Sequence, residues 1–351
     1  MATLWSLKWL GLIMALGGMG LFALYWRQLR SGGAVIALPF AWLGALYLLP
    51  ILVLLSMSFG SKNLENRPPF DPPITFSNGL EWTGSTQAYR QVAQDFWSGT
   101  QQCLGGICLG APQVKYRPAF INSLTMALLS AALALTIAFP FAYAIARAPT
   151  RLQPFMLMGV ILPFWSFYII RIYAFRQLLR KEGPINQVIE SFNAAPWLFD
   201  IPLLDIYPSS LSIVLGLAYT YLPFAILPLY AVLQTADPAI EEAAADLGAR
   251  PVTRFWRITL PLAAPGLVAA FLLVAVPAMG EYVIPQMMGP NNLELQNGIV
   301  GWEIRKAVTK GRDWPLGALL GLLLMVIMVA PMVIYQRNAN RLSAREAGTA
   351  P

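Results

Sequence analysis

Seven long apolar stretches separated by polar segments set the outline of the chain, at approximately residues 9–26, 34–58, 118–146, 155–174, 209–234, 262–288 and 314–336. A helix needs ~20 apolar residues to cross the hydrocarbon core of a bilayer, and each stretch is long enough allowing for tilt. About 140 residues, roughly 40% of the chain, would then lie in lipid. The apolar runs are solid and do not alternate, which excludes an outer-membrane barrel. The pattern predicts an all-α membrane protein. Gly17, Gly18 and Gly20 weaken the first stretch. It reads either as an additional span or as a helix lying on the membrane surface. No small-x-small cleavage site stands just before Arg27.

Orientation follows from the basic residues between the stretches. With the segment after the fifth stretch inside the cell, loops 27–33, 147–154, 235–261 and 337–351 hold 10 Lys/Arg in 57 residues, and loops 59–117, 175–208 and 289–313 hold 12 in 118. The inner loops are thus about twice as dense in positive charge, which favours this orientation and a cytoplasmic C-terminus. Of the 351 residues, 57% are hydrophobic and 12% charged, about half the charged share of a soluble protein. The net charge of +7 is spread thinly, so it fits inner-face loops and not a nucleic-acid surface. There is no His, which removes the usual proton relay, most zinc sites and any Ser-His-Asp arrangement. The two cysteines, Cys103 and Cys108, are too few for a thiolate metal cluster. They lie in the long outer loop 59–117, joined by a Leu-Gly-Gly-Ile segment that can turn tightly. A disulfide is expected there in an oxidising compartment, with two free thiols as the alternative. The sequence has no GxxxxGK[ST], GxSxG or HExxH motif and no catalytic set, so neither bound nucleotide nor enzymatic activity is expected of this chain.

The loop 235–261 is too structured to be a mere connection. Asp237 can cap a helix, Pro238 suits its first position, and Glu241 and Glu242 lie near the positive end of its dipole. Ala243 to Ala245 are strong helix formers, and Gly248 can take the left-handed conformation that ends a helix. A second short helix is expected from Pro251 through Phe255 and Trp256 to Leu260–Pro261. Such an element, fixed between two spanning rods, can seat in a groove of a partner and move both rods as a lever. The other reading is a surface helix lying on lipid headgroups.

Glu242, Ala243 and Ala244, then Gly248 after three residues, then Ile258, Leu260 and Pro261 after nine more, resemble the signature loop of ABC-importer permeases. The likeness extends to ALPFAW at 37–42, LLP at 48–50, NSL at 122–124, PFAY at 140–143, LPFWS at 162–166, IRIY at 170–173, PAMGEYVIP at 277–285 and RDWP at 312–315, which are similar to the spermidine/putrescine branch. Glu281 with the following Val283–Pro285 is closer to the putrescine type. The resemblance implies a six-helix type I importer transmembrane domain over 34–336 in the bacterial inner membrane. An extra N-terminal hydrophobic segment (1–33) and a cytoplasmic tail (337–351) flank it. It also implies that the loop, with Glu241 and the motif residues, docks on a separate ATPase. ATP and Mg would belong to that partner. A second permease subunit, two ATP-binding subunits and an extracytoplasmic solute-binding protein complete the implied assembly. The departures are the 1–33 segment and the enlarged, Cys-containing loop 59–117.

Two ionisable residues fall inside apolar stretches, Arg171 and Glu281. Counted along straight helices at 1.5 Å per residue they sit ~24 Å and ~28 Å from the inner ends. Unpaired charge in the membrane costs several kcal/mol, so the two are expected to pair in a water-accessible region near the outer mouth. There Glu281 could meet an incoming ammonium group that Arg171 holds or competes for. A purely structural ion pair, or simple exposure at the membrane interface, is the alternative. Trp165, Tyr168, Tyr173, Tyr219, Tyr221 and Phe224 offer aromatic faces to a cationic amine, with Trp165 and Tyr221 as the expected gate. Packing or lipid-facing aromatics are the plainer reading. Prolines 39, 50, 140, 163, 223, 228, 277 and 285 interrupt the spans, either as breaks that face protein or a watered cavity or as ordinary packing kinks. The expected activity is ATP-driven import of a polyamine or a related small cation. An opine, amino-acid derivative or thiamine-like solute is the nearest alternative. A self-sufficient secondary transporter or channel is disfavoured by the lack of His and the scarcity of intramembrane acids.

Overall fold

The computed structural model describes residues 34–63, 65, 70–71, 73–75, 81–82, 84–97, 103–104, 107–108, 116–193, 202–289 and 298–346, with side chains over the same range apart from 34–41, 70, 74–75, 81–82, 103–104, 107–108 and 338–346. The expected first apolar stretch, 9–26, lies outside the described residues. The chain forms two compact units, one built on residues up to Gln91 with Lys306–Leu323, the other on Val92–Arg305 with the segment from Leu324.

In the first unit, α1 (Ala34–Ser58) is a 25-residue helix without a charged residue. Two short antiparallel ladders follow, β1 (Ser61–Lys62) with β2 (Phe70–Asp71) and β3 (Ile74–Thr75) with β4 (Glu81–Trp82). The Ser58 and Tyr89 hydroxyls lie 2.7 Å apart, and the Phe59 and Tyr89 rings stack at 4.8 Å. Tyr89 belongs to the start of α2 (Gln87–Trp97).

In the second unit, β5 (Cys103–Leu104) pairs with β6 (Ile107–Cys108), and the register sets Cys103 opposite Cys108. Their side chains, and so the expected disulfide, lie outside the described residues. Next comes α3 (Tyr116–Arg147), whose first N–H is accepted by the buried Asp95 carboxylate at 2.6 Å. Then follow α4 (Gln153–Ile161), a 3-10 turn over Leu162–Trp165, α5 (Tyr168–Leu178) and α6 (Pro184–Asn193). Helix α7 (Ser210–Thr235) opens on a capping box between Ser209 and Ser212. The short α8 (Pro238–Asp246) and α9 (Pro251–Arg254) lead into α10 (Leu260–Gly280) and α11 (Val283–Met288). Helices α12 (Val300–Thr309) and α13 (Trp314–Glu346) complete the order.

The core lies where α3, α7 and α10 pack together. A stripe of small residues on α3 (Ala127, Ala131, Ala134, Ala138 and Ala142) is buried at helical spacing. Ala218, Ala225 and Leu229 of α7 and Ala263, Ala270 and Val274 of α10 are buried with it. Inside lipid there is no aqueous penalty to drive helices together, so packing must do it, and small residues let backbones approach closely. Gly266 is the tightest case on α10: a Cβ there would meet Val232 at 3.0 Å and the Pro228 carbonyl at 3.2 Å.

Four helices among the described residues are long and apolar enough to cross a membrane, or five if the bent pair 153–165 and 168–178 is one span. That pair corrects the expectation of a single straight span at 155–174. The chain turns by 94° there. Pro163 tightens the chain into a 3-10 turn, Ser166 and Phe167 are extended, and the Ser166 hydroxyl donates to the Pro163 carbonyl at 2.8 Å. The sixth stretch is also broken, with non-helical backbone at Glu281–Tyr282. Of the two readings of the prolines, the break does not hold for four of them: α3 runs through Pro140, α7 through Pro223 and Pro228, and α10 through Pro277. The short helix expected at 251–261 is not separate. It passes through a π turn at Phe255–Thr259 straight into α10, giving 30 continuous residues from Pro251 to Gly280.

Candidate functional site

Two clusters stand at opposite ends of α10, and each is organised around one carboxylate. The first is the root of α8. Asp237 accepts the Ala239 N–H at 2.9 Å. At the other end Gly248 takes φ +81°, and the N–H groups of Gly248 and Ala249 return to the carbonyls of Ala245 and Ala244. Only glycine adopts that conformation without cost. Adjacent residues on a helix point in different directions, so Glu241 turns inward while Glu242 stays exposed. The Glu241 carboxylate accepts from the Tyr143 hydroxyl at 2.8 Å, from Arg147 Nη2 at 3.0 Å and from Thr259 Oγ1 at 3.1 Å. Arg147 also reaches the Ala236 carbonyl at 3.3 Å, and Arg254 donates to the Glu241 carbonyl at 3.4 Å. The clasp thus joins α8 to the last turn of α3 and the root of α10. Beside it lies a cavity of about 660 Å³, mostly apolar, bounded by Phe139, Tyr143, Phe255 and Trp256.

Burial of Glu241 works to raise its pKa. The hydrogen bonds from Tyr143, Arg147 and Thr259, with the Arg147 charge, outweigh it and hold the carboxyl below the usual carboxylate value. A depressed folded-state pKa contributes stability that is complete above the unfolded value and is lost as pH falls through the folded one. Arg147→Ala is therefore expected to cost about 1.5–3 kcal/mol near neutral pH, the range for a hydrogen bond to a charged group. The difference in melting temperature from the unsubstituted protein should shrink as the pH is taken below the carboxylate range. A difference that stays constant with pH would mean that the pair contributes packing and no charge.

The second cluster sits where α10 ends. Glu281 Oε2 accepts from the Tyr168 hydroxyl of α5 at 2.7 Å and the Tyr221 hydroxyl of α7 at 3.0 Å. Its Oε1 accepts the N–H groups of Tyr282 at 3.0 Å and Val283 at 2.8 Å. One carboxylate therefore ties three elements together at a break in a span. The backbone of the break is pressed against α12: a Cβ on Gly301 would meet the Gly280 carbonyl at 2.7 Å and the Glu281 carbonyl at 3.2 Å.

A match to the family of binding-protein-dependent transport system inner membrane components covers residues 133–344, the stretch that holds both clusters. The chain belongs to this family. As a binding-protein-dependent inner membrane component it is a multi-pass permease subunit of an ABC importer and not an enzyme. It is 32% identical to the spermidine/putrescine transport system permease protein PotB of Haemophilus influenzae over 316 residues, covering 89% of this chain and 94% of that one. It is 34% identical to PotB of Escherichia coli K12 over 232 residues, covering 66% of this chain and 80% of that one. Among solved structures, a bacterial alginate ABC transporter in complex with an alginate pentasaccharide-bound periplasmic protein superposes with a TM-score of 0.58 at 14% identity, covering 90% of this chain and 97% of that one. That likeness establishes the all-α type I importer fold.

Within this permease the expected residues separate. Of the loop residues, Glu242, Ala243, Gly248 and Pro261 are exposed, and Ala244, Ile258 and Leu260 are half-buried. Of the pathway residues, Tyr168, Tyr221 and Glu281 come together. The expected pairing of Arg171 with Glu281 is corrected. Arg171 donates to the Phe164 carbonyl at 3.3 Å and lies over the rings of Phe164 at 4.6 Å and Tyr168 at 5.8 Å. The 94° turn before α5 invalidates the straight-helix depth count that put the two charges side by side. Tyr219 is taken up in a stack on Phe175 at 4.5 Å, and Arg176 lies over Tyr173 at 5.6 Å. Phe224 is exposed with its ring 6.2 Å from that of Tyr221, and Trp165 is 83% exposed, apart from the carboxylate. Tyr143, Arg147, Thr259 and Gly301 were missed by sequence reasoning. Only Tyr143 and Arg147 carried a signal, four residues apart on one helical face.

Proposed function

We propose that this chain is the permease subunit of an ATP-driven importer of a polyamine or a related small linear cation, driven through α8 by separate ATPase subunits. The observation that carries the reading is the clasp. A capped nine-residue helix with its apolar tip outward, Leu247 being 89% exposed, is rooted through Glu241 in both α3 and α10. Displacement of α8 therefore displaces two spanning helices. Helix α10 carries that displacement over 21 residues, about 31 Å at 1.5 Å per residue, to the Glu281 break. The assembly is completed by a second permease subunit, two ATP-binding subunits that carry ATP and Mg, and an extracytoplasmic solute-binding protein. The polyamine assignment is supported by the extent of the likeness to spermidine/putrescine permeases and by Glu281, the only acidic residue in the apolar stretches.

A second reading, a zwitterionic solute such as an amino-acid derivative, is favoured by one observation: Arg171 and Arg176 already cover the faces of Phe164, Tyr168 and Tyr173. The test is uptake by the reconstituted complex in vesicles, with labelled putrescine, spermidine and ornithine offered through the solute-binding protein. ATP-dependent uptake of the two polyamines is expected. Uptake of ornithine alone establishes the second reading, and uptake without ATP overturns both.

A further inference from the structure

Glu281 stands at the carbonyl end of a broken helix. The peptide dipoles of α10 make that end negative, and half-helix ends of this kind hold cations in membrane transporters. Pro277 has no N–H, so the Leu273 carbonyl lacks its helical donor. The carboxylate is half-buried, as are Tyr168 and Tyr221, so the cluster is reachable. Its present partners are neutral donors. Arg171 donates to the Phe164 carbonyl and lies over its ring, and its Nε has no hydrogen-bond partner. A carboxylate in an apolar segment without a cation is costly. The phenols that stabilise it are donors that can equally accept.

We propose that Glu281, Tyr168 and Tyr221 form an intramembrane binding site for one primary ammonium end of a linear amine. This rests on the importer reading above. The ammonium donates to Glu281 Oε2, and the two hydroxyls rotate from donating to the carboxylate to accepting from the ammonium. Oε1 stays fixed by the N–H groups of Tyr282 and Val283, so the carboxylate keeps its aim while its partners exchange. A single carboxylate neutralises a single ammonium, and the second charge of a diamine is left to groups outside this chain.

The test uses the reconstituted complex with saturating putrescine-loaded solute-binding protein. Glu281→Gln, which keeps shape and loses charge, is expected to lower the maximal uptake rate at least tenfold. Stimulation of ATP hydrolysis by the loaded binding protein should stay within about twofold. Glu281→Asp should recover part of the rate. Labelled putrescine should bind the ATP-trapped complex with at least tenfold weaker affinity in Glu281→Gln. If the unsubstituted complex transports putrescine and Glu281→Gln matches it in rate and binding, the site is wrong and the importer reading stands. If Asp is no better than Gln, the carboxylate is a structural brace and the site is equally wrong. If the unsubstituted complex transports no amine, the reading beneath it fails.

Discussion

Leu247→Glu is expected to weaken the hold of this permease on its ATPase subunit by a hundredfold or more while leaving the permease folded. Leu247 closes α8 and is 89% exposed, and Ile240 on the same short helix is 46% exposed. Neither gains from burial within this chain. Seating a leucine in an apolar groove contributes about 1.5–3 kcal/mol. The substitution forfeits that and brings a carboxylate that must be desolvated. A sum of about 2.7 kcal/mol is already a hundredfold in affinity. The clasp at Glu241 is not touched, so the melting temperature of the solubilised permease should move by no more than a surface change allows, about 0.5 kcal/mol. Removing residues 239–248 altogether should abolish association. The measurement is co-purification of the ATPase with tagged permease, followed by titration. An ATPase retained at full affinity by Leu247→Glu would remove α8 from the coupling role and leave it as a helix on the lipid surface.

What could be read in advance depended on how local the cause was. The spans from Tyr116, Ser210 and Trp314 begin within about two residues of expectation, because apolar length and composition decide them. Asp237, Pro238 and Gly248 cap α8 as their chemistry dictates. The bend at Ser166 was not legible, since Pro163 breaks the helix whereas Pro140, Pro223 and Pro277 sit within continuous ones. Packing against neighbouring helices decides between these outcomes, and a single sequence does not list neighbours. The same holds for the charges. Glu281 was recognisable as a costly group needing partners, but Tyr168 and Tyr221 answer that need across 113 and 60 residues of sequence, and Arg171 does not. In the clasp, the motif letter falls on Glu242, whereas its neighbour Glu241 joins α8 to α3 and the root of α10. Helical phase relative to α3 and α10 separates the two.

Gly301→Ala is expected both to destabilise this permease and to cost it most of its uptake. The site has no room for it: a Cβ would stand 2.7 Å from the Gly280 carbonyl, 3.1 Å from the Tyr282 Cβ and 3.2 Å from the Glu281 carbonyl. Two of these atoms are backbone, at the break that aims Glu281, so they yield only if the break itself shifts. On its other flank α12 is pinned, with the Val300 N–H donating to the buried Ser123 hydroxyl at 2.9 Å. Overpacking of this kind costs about 1–3 kcal/mol. A shift of a few tenths of an ångström at 280–282 also misaligns a carboxylate whose four hydrogen bonds span 2.7 to 3.0 Å. Both a lower melting temperature and at least a tenfold loss of uptake should follow. Gly159→Ala on α4, where nothing lies within 4 Å of the added atom, is the control and should be neutral or slightly stabilising. Equal stability and uptake for the two variants would mean that α12 does not press on the break, and the positioning of Glu281 would have to come from Tyr168 and Tyr221 alone.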